Sequence, residues 1–292
     1  MFEGAMVALV TPFKKGKVDE KKLAELVEFH IKNGTSGIVP CGTTGESATL
    51  SYEEHDRVIE VVIEAAHKRV PVIAGTGSNS TSEALMLTKH AKKAGADASL
   101  QVSPYYNRPT QEVLYLHFKT IAEEVGLPMI VYNIASRTGV NIEPETMARI
   151  SKVKNIVGVK ESSGSLEQMS RIRYLCGDKF ALISGDDALT LPLLSIGGAG
   201  VISVVNNIAP KDVSNMVAKF KKGDIEGARK LHYKLLPLIK AIFIETNPIP
   251  VKTAMSLMGM IEPDLRLPMC PMSEANLEKL KKALKDYGIS VN

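Results

Sequence analysis

Eight short runs rich in β-branched and apolar residues, each followed by a longer amphipathic segment, set the main constraint on how this chain can fold. The runs are "AMVALV" (5–10), "GIVPC" (37–41), "PVIAG" (71–75), "ASLQVS" (98–103), "PMIVYN" (128–133), "NIVGVK" (155–160), "FALISG" (180–185) and "GVISVV" (200–205). Segments between them, such as "DEKKLAELVEFHIKNG" and "YEEHDRVIEVVIEAAHKR", carry apolar residues at helical spacing, with Gly or Pro near the exit. Such alternation builds either an open doubly wound sheet or a closed (β/α)8 TIM barrel. Eight repeats favour the barrel, and 292 residues accommodate its typical ~250.

The polar residues favour the barrel more strongly. Small or reactive side chains follow nearly every run: Thr11, Thr43 to Glu46, Thr76, Ser103 to Tyr106, Tyr132 and Asn133, Lys160 to Ser162, Asp186 and Asp187, Asn206 and Asn207. Barrels gather their chemistry at that end of every strand, whereas an open sheet gathers it at one switch point. Beyond residue 224 the pattern is helical with Pro-rich turns, "NPIPVK" and "LPMCPM". The expected organisation is a barrel over 1–224 and a helical appendage over 225–292.

Composition excludes several function classes. The net charge of +4 is spread out, and Lys279, Lys281, Lys282 and Lys285 read as the solvated face of a last helix. With no tryptophan and no arginine stripe beside them, a nucleic-acid surface is not expected. Cys41, Cys176 and Cys270 are widely spaced, no Cys-x-x-Cys occurs, and the histidines form no His-Glu-x-x-His, so no metal site is expected. "MFEGAMVALVTPF" has no basic leader, and no apolar run approaches the ~20 residues of a membrane span. A cytoplasmic protein is the expectation.

Glycine-rich stretches do not read as nucleotide sites. "GTGSNS" lacks fingerprint spacing and "GIVPCGTTGES" lacks the P-loop lysine. The glycines of "IGGAGVIS" precede a strand and suit a turn at the opposite end of the barrel. In "CGTTGE", Thr43 and Thr44 offer hydroxyls and approachable N–H groups for a carboxylate, or simply an ordinary capped βα turn.

"NIVGVKESSG" poses the sharper question, because its strand ends on Lys160. Period-2 alternation puts Ile156, Gly158 and Lys160 on one face, as it puts Ile130 and Tyr132 on one face of the preceding run. Consecutive strands of a barrel are neighbours, so Tyr132 and Lys160 are expected to meet at its mouth, with Arg137 in the next loop for a substrate carboxylate. Burial disfavours the charged form of any lysine, and a neutral amine attacks carbonyls, with a phenol to shuttle protons. The plain alternative is a strand-end lysine leaning into water. Lys252, after two prolines in "NPIPVK", is the rival lysine.

Taken together, "CGTTGES", "SPYYNRPTQ", "YNIASRTG", "VGVKESSG", "SGDD" and "NPIPVKTA" resemble the dihydrodipicolinate synthase family of pyruvate-dependent aldolases, from the first strand to the last helix. The resemblance implies a cytoplasmic lyase that condenses pyruvate with L-aspartate 4-semialdehyde, giving 4-hydroxy-tetrahydrodipicolinate for diaminopimelate and lysine biosynthesis. It implies Lys160 as the Schiff-base lysine, Tyr132 as proton donor and acceptor, and Thr43 and Tyr106 as the rest of the relay. Tyr106 would reach in from a neighbouring subunit of a homotetramer. Thr44 and the backbone of Ile202 would hold the pyruvate carboxylate, and Arg137 that of the aldehyde. No metal or organic cofactor is implied. Ser47, Ala48, His55, Asn79, Glu83 and Tyr105 match a site for L-lysine as feedback inhibitor.

Three positions depart from the family pattern: Ala135 where proline is usual, which should loosen the Arg137 loop; Tyr52 beside the lysine site; and Gln101 inside an apolar strand. Two other functions stay open on the residues. One is another pyruvate aldolase acting on a sugar acid, disfavoured by Thr44 and Arg137. The other is a catalytically silent barrel that only binds.

Overall fold

The computed structural model describes residues 2–291. After β1 (Gly4–Ala8) comes a small hairpin, β2 (Phe13–Lys14) and β3 (Lys17–Val18), then α1 (Glu20–Lys32). Strands and helices then alternate: β4 (Gly37–Val39), α2 (Tyr52–Ala66), β5 (Ile73–Gly75), α3 (Thr81–Ala94), β6 (Ala98–Val102) and α4 (Gln111–Val125). Next come β7 (Met129–Asn133), α5 (Ala135–Thr138), α6 (Pro144–Ile150), β8 (Ile156–Glu161), α7 (Leu166–Cys176), β9 (Ala181–Ser184), α8 (Thr190–Ser195), β10 (Gly200–Ser203) and α9 (Pro210–Lys221). The chain ends in α10 (Ile225–Ile242), α11 (Ile249–Leu257) and α12 (Glu274–Tyr287).

Eight strands pair in parallel in the order β4-β1-β10-β9-β8-β7-β6-β5, and the parallel bridge Ile38–Val72 joins the two ends into a barrel. All eight expected runs are its staves. Met6, Ala8, Val39, Ile73, Leu100, Ile130, Ile183 and Ile202 fill the interior. The outward-facing side chains bury against the helices. One apolar cluster there runs from Val7 and Leu23 through Val213 and Met216 to Leu235, Leu238, Leu280 and Leu284, tying the last helices to the barrel.

Two details correct the sequence reading. The register of β7 on β8 shifts between Met129 and Ile130, so Met129 faces Ile156 while Ile130 faces Gly158. Ile156 therefore packs outside with Val159, and the extra residue Val157 leans on the interior. Simple alternation put Ile156 beside Lys160; the bulge overrides it. Gln101 has a physical role after all. It is fully buried between the sheet and α3, where its amide donates to Thr76 Oγ1 (2.7 Å) and Thr88 Oγ1 (2.8 Å). Those bonds offset the cost of burying the amide nitrogen, while Oε1 is buried without a partner.

Candidate active site

Past the bulge, pairing of β7 and β8 sets Tyr132 directly opposite Lys160. Both are 6% exposed, and Lys160 Nζ lies 4.1 Å from the centroid of the Tyr132 ring. Lys160 thus does not lean into water. Its stem packs against Gly185: a Cβ there would fall 2.9 Å from Lys160 Cε and 1.9 Å from Ser162 Oγ, so a larger residue would displace one or both side chains.

The next residue, Glu161, points the other way and is fully buried. It accepts hydrogen bonds from the Ser163 N–H (2.7 Å), Asn133 Nδ2 (3.1 Å) and Gln168 Nε2 (3.4 Å). Burial raises its carboxyl above the ordinary value, and those donors oppose the shift. Asn133 and Glu161 are the last residues of their strands, so this network fixes Tyr132 and Lys160 from behind.

The loop after β4 is wound by its own backbone: the N–H groups of Gly45 and Glu46 donate to the carbonyls of Gly42 and Thr43, each at 3.1 Å. Thr11 Oγ1 fastens it to the segment that follows β1 through the Gly45 carbonyl (2.7 Å). Thr43 is half-buried and Thr44 buried. Asn247, in the turn before α11, donates from Nδ2 to Thr44 Oγ1 (3.0 Å), and its carbonyl accepts from Arg137 Nη2 (3.1 Å). One buried asparagine thereby links two residues singled out for two different carboxylates. Arg137 itself is exposed on the single turn α5, closed by Gly139 N–H to the Ala135 carbonyl (2.9 Å).

Ile202 is 1% exposed and sits opposite Met6. The turn after it is pinned by Asp187, which accepts from the N–H groups of Val204 (3.0 Å) and Val205 (3.3 Å). Burial pushes the Asp187 carboxyl up to about 6, against those hydrogen bonds. Tyr106 is not gathered with the others within this chain. It is 91% exposed, with its backbone in the left-handed region at φ 72°. Lys252 is no surface lysine: it is 2% exposed and paired with Glu46 at 2.5 Å. Burial pulls its amine below the ordinary lysine value while Glu46 opposes.

The remaining predicted residues lie around the loop 76–79 and the start of α2 and α3. Glu83 Oε1 accepts from the Tyr52 hydroxyl (2.8 Å) and Oε2 from Ser78. Asn79 Nδ2 donates to the Tyr105 carbonyl (3.2 Å). His55 is buried with Nε2 at 2.9 Å from the Gly75 carbonyl, and burial lowers its pKa. Ser47 and Ala48 form a short turn, half-buried and exposed respectively. Among the described residues, no group of three or more His, Cys, Asp or Glu is placed to hold a metal ion, and no helix is long and apolar enough to cross a membrane.

Residues 1–287 match the family described as Dihydrodipicolinate synthetase. This chain belongs to that family. Among members of the dihydrodipicolinate synthetase family, the 4-hydroxy-tetrahydrodipicolinate synthase of Syntrophus aciditrophicus (strain SB) is 62% identical over 289 residues, 99% of each chain. The crystal structure of dihydrodipicolinate synthase from Aquifex aeolicus superposes with a TM-score of 0.98 at 51% identity, covering 100% of both chains. A chloride-inhibited synthase from Acinetobacter baumannii, complexed with pyruvate, is 49% identical with a TM-score of 0.97 over 99% of this chain and 100% of its own. A synthase from Cyanidioschyzon merolae with lysine bound is 43% identical with a TM-score of 0.95 over 99% of each chain.

Sequence reasoning placed Glu161 and Gly185 at strand ends without their roles, and it missed the links made by Asn247 and the burial of Lys252. The signal for Gly185 was present in "SGDD", directly after a strand. Nothing local to Asn247 or Lys252 pointed to partners some two hundred residues away.

Proposed function

We propose that this chain condenses pyruvate with L-aspartate 4-semialdehyde through a Schiff base on Lys160, forming 4-hydroxy-tetrahydrodipicolinate and one water. The observation that carries the reading is Lys160 buried against Tyr132 at the C-terminal end of the barrel, in a family whose members bear the synthase name. The Lys160 amine adds to the pyruvate ketone, and the carbinolamine loses water to leave an imine. Loss of a methyl proton gives an enamine, whose carbon attacks the aldehyde. The amino group of the semialdehyde then closes onto the imine carbon and expels the Lys160 amine. Tyr132, with Thr43 and Tyr106, moves the protons; Thr44 and the Ile202 backbone hold the pyruvate carboxylate; Arg137 takes that of the aldehyde.

Tyr106 bears on assembly. A tyrosine 91% exposed on a left-handed backbone is poorly accounted for in an isolated subunit, and supports association of at least two copies, as in the homotetramer the family resemblance implies, in which it completes a neighbour's site. On this reading the barrel, 1–224, holds the reacting groups, and 225–292 braces them in a cytoplasmic enzyme. L-Lysine would act as feedback inhibitor at Ser47, Ala48, His55, Asn79, Glu83 and Tyr105, where Glu83 offers a carboxylate for its ammonium group. A sugar-acid aldolase finds no support in the relatives described.

The test is product analysis with both substrates. Consumption of pyruvate and semialdehyde in equal amounts, with the cyclic product seen by mass spectrometry, is expected. Turnover of a sugar acid but not the semialdehyde would overturn the reading.

A further inference from the structure

The loop that carries Thr43 and Thr44 is held from outside the barrel. Its end, Glu46, has a left-handed backbone (φ 53°), which a residue with a Cβ keeps only when its surroundings impose it. Its backbone is held by Thr43 and Thr49 within the loop, and its carboxylate by α11 and the segment that follows it. Glu46 Oε1 accepts from Lys252 Nζ of α11 at 2.5 Å, and Oε2 from the Arg266 N–H at 3.3 Å. Both side chains of the ion pair are 2% exposed. Lys252 Nζ lies 4.2 Å from the centroid of Phe13 in the hairpin, and the Arg266 guanidinium 4.3 Å from the same ring. Arg266 also forks onto Glu54 with two 2.6 Å bonds and donates to the Thr49 carbonyl at 2.9 Å.

An ion pair this deep is a poor source of net stability, because desolvating two charges offsets most of their attraction. What it supplies is a fixed position for the Glu46 carboxylate, and through it for the four residues before it. We propose that Glu46 and Lys252 are positioning residues for the pyruvate end of the site, setting the Thr43 and Thr44 hydroxyls through the loop backbone. The helical appendage is then part of the machinery that sets pyruvate affinity. This rests on the assignment of Thr43 and Thr44 made above.

The test compares the parent with the Glu46→Gln/Lys252→Met double variant and with Glu46→Asp. The double variant removes both charges and leaves neither stranded. The aspartate keeps the charge but withdraws the carboxylate by one methylene. Melting curves, KM for each substrate, kcat, and borohydride trapping of pyruvate on Lys160 are measured for all three. The double variant is expected to melt near the parent while its pyruvate KM rises about tenfold or more, the order of effect known for residues that orient the ligands of metal sites. Its semialdehyde KM should hold, since Asn247 still anchors Arg137. Glu46→Asp should shift pyruvate KM in the same direction by a smaller factor.

A purely structural pair would instead lower kcat in proportion to the folded fraction and leave pyruvate KM unmoved. That result, in either folded variant, overturns the proposal. Should the double variant fail to fold, Glu46→Asp decides by the same readout. Absence of a Lys160 adduct in the parent would overturn the catalytic assignment itself, a failure distinguishable from this one.

Discussion

Lys160 Nζ lies 4.1 Å from the centroid of the Tyr132 ring, and the two residues face each other across adjacent strands with 6% of each exposed. The ring packs the lysine; in the mechanism proposed above, its hydroxyl has the separate work of moving protons. Tyr132→Phe keeps the packing and removes only the hydroxyl. We expect kcat to fall about 10²–10⁴-fold, the usual worth of a general acid–base group, with little change in melting temperature. Steady-state rates beside a thermal melt check this, and an unchanged kcat would remove Tyr132 from the relay.

Ala135 opens the single turn α5, a first helical position where proline is well tolerated because its missing N–H has no helical partner. Ala135→Pro should therefore stabilise the chain by about 0.4–1 kcal/mol, through a less flexible unfolded state. By stiffening the Arg137 turn it should also lower the semialdehyde KM. A lower denaturation midpoint would show that the native backbone rejects the ring.

Tyr52 occupies Glu83 Oε1 with a 2.8 Å hydrogen bond, and that bond holds its phenol above the ordinary tyrosine value. An incoming lysine ammonium would compete for the same oxygen. Tyr52→Phe should tighten inhibition by L-lysine several-fold, which is what one exposed hydrogen bond of ~1 kcal/mol is worth. Lysine titrations of parent and variant measure it. If lysine leaves the parent's activity unchanged into the millimolar range, the allosteric assignment falls.

His30 is fully buried with Nδ1 at 3.2 Å from Thr35 Oγ1. Burial lowers its pKa from 6.5 to about 3, while in the unfolded chain it takes up a proton near pH 6.5. Its contribution is therefore complete above pH 6.5 and is lost progressively as pH falls toward 3, by up to about 4–5 kcal/mol. His117, lowered to about 4 by burial, acts with the same sign. Asp187, raised to about 6, acts with the opposite sign: its contribution is full below pH 3.8 and lost as pH rises through 6. His30→Gln removes the titration, so its melting temperature should fall less steeply between pH 6.5 and 4. Parallel slopes for parent and variant would contradict this.

The barrel was legible because strands buried on both faces read as unbroken β-branched runs, and each ended in polar residues. Lys160 and Tyr132 stood out for a local reason: a charge and a phenol closing two such runs. The bulge that moves Ile156 outward left no mark, since Ile and Val suit either face. Gly185 closed the run "FALISG", but its closeness to Lys160 and Ser162 could be seen only in three dimensions. The contacts of Asn247 with Thr44 and of Lys252 with Glu46 join positions 203 and 206 residues apart. Contacts at that separation follow from how the appendage docks, and no local spacing encodes them.

The central claim is that Lys160 forms an imine with pyruvate. Borohydride treatment with and without pyruvate, followed by peptide mass mapping, tests it most directly. The account predicts a reduced pyruvyl adduct on the peptide containing Lys160, only when pyruvate is present, and none on Lys160→Arg. No adduct, or one on Lys252, would contradict it.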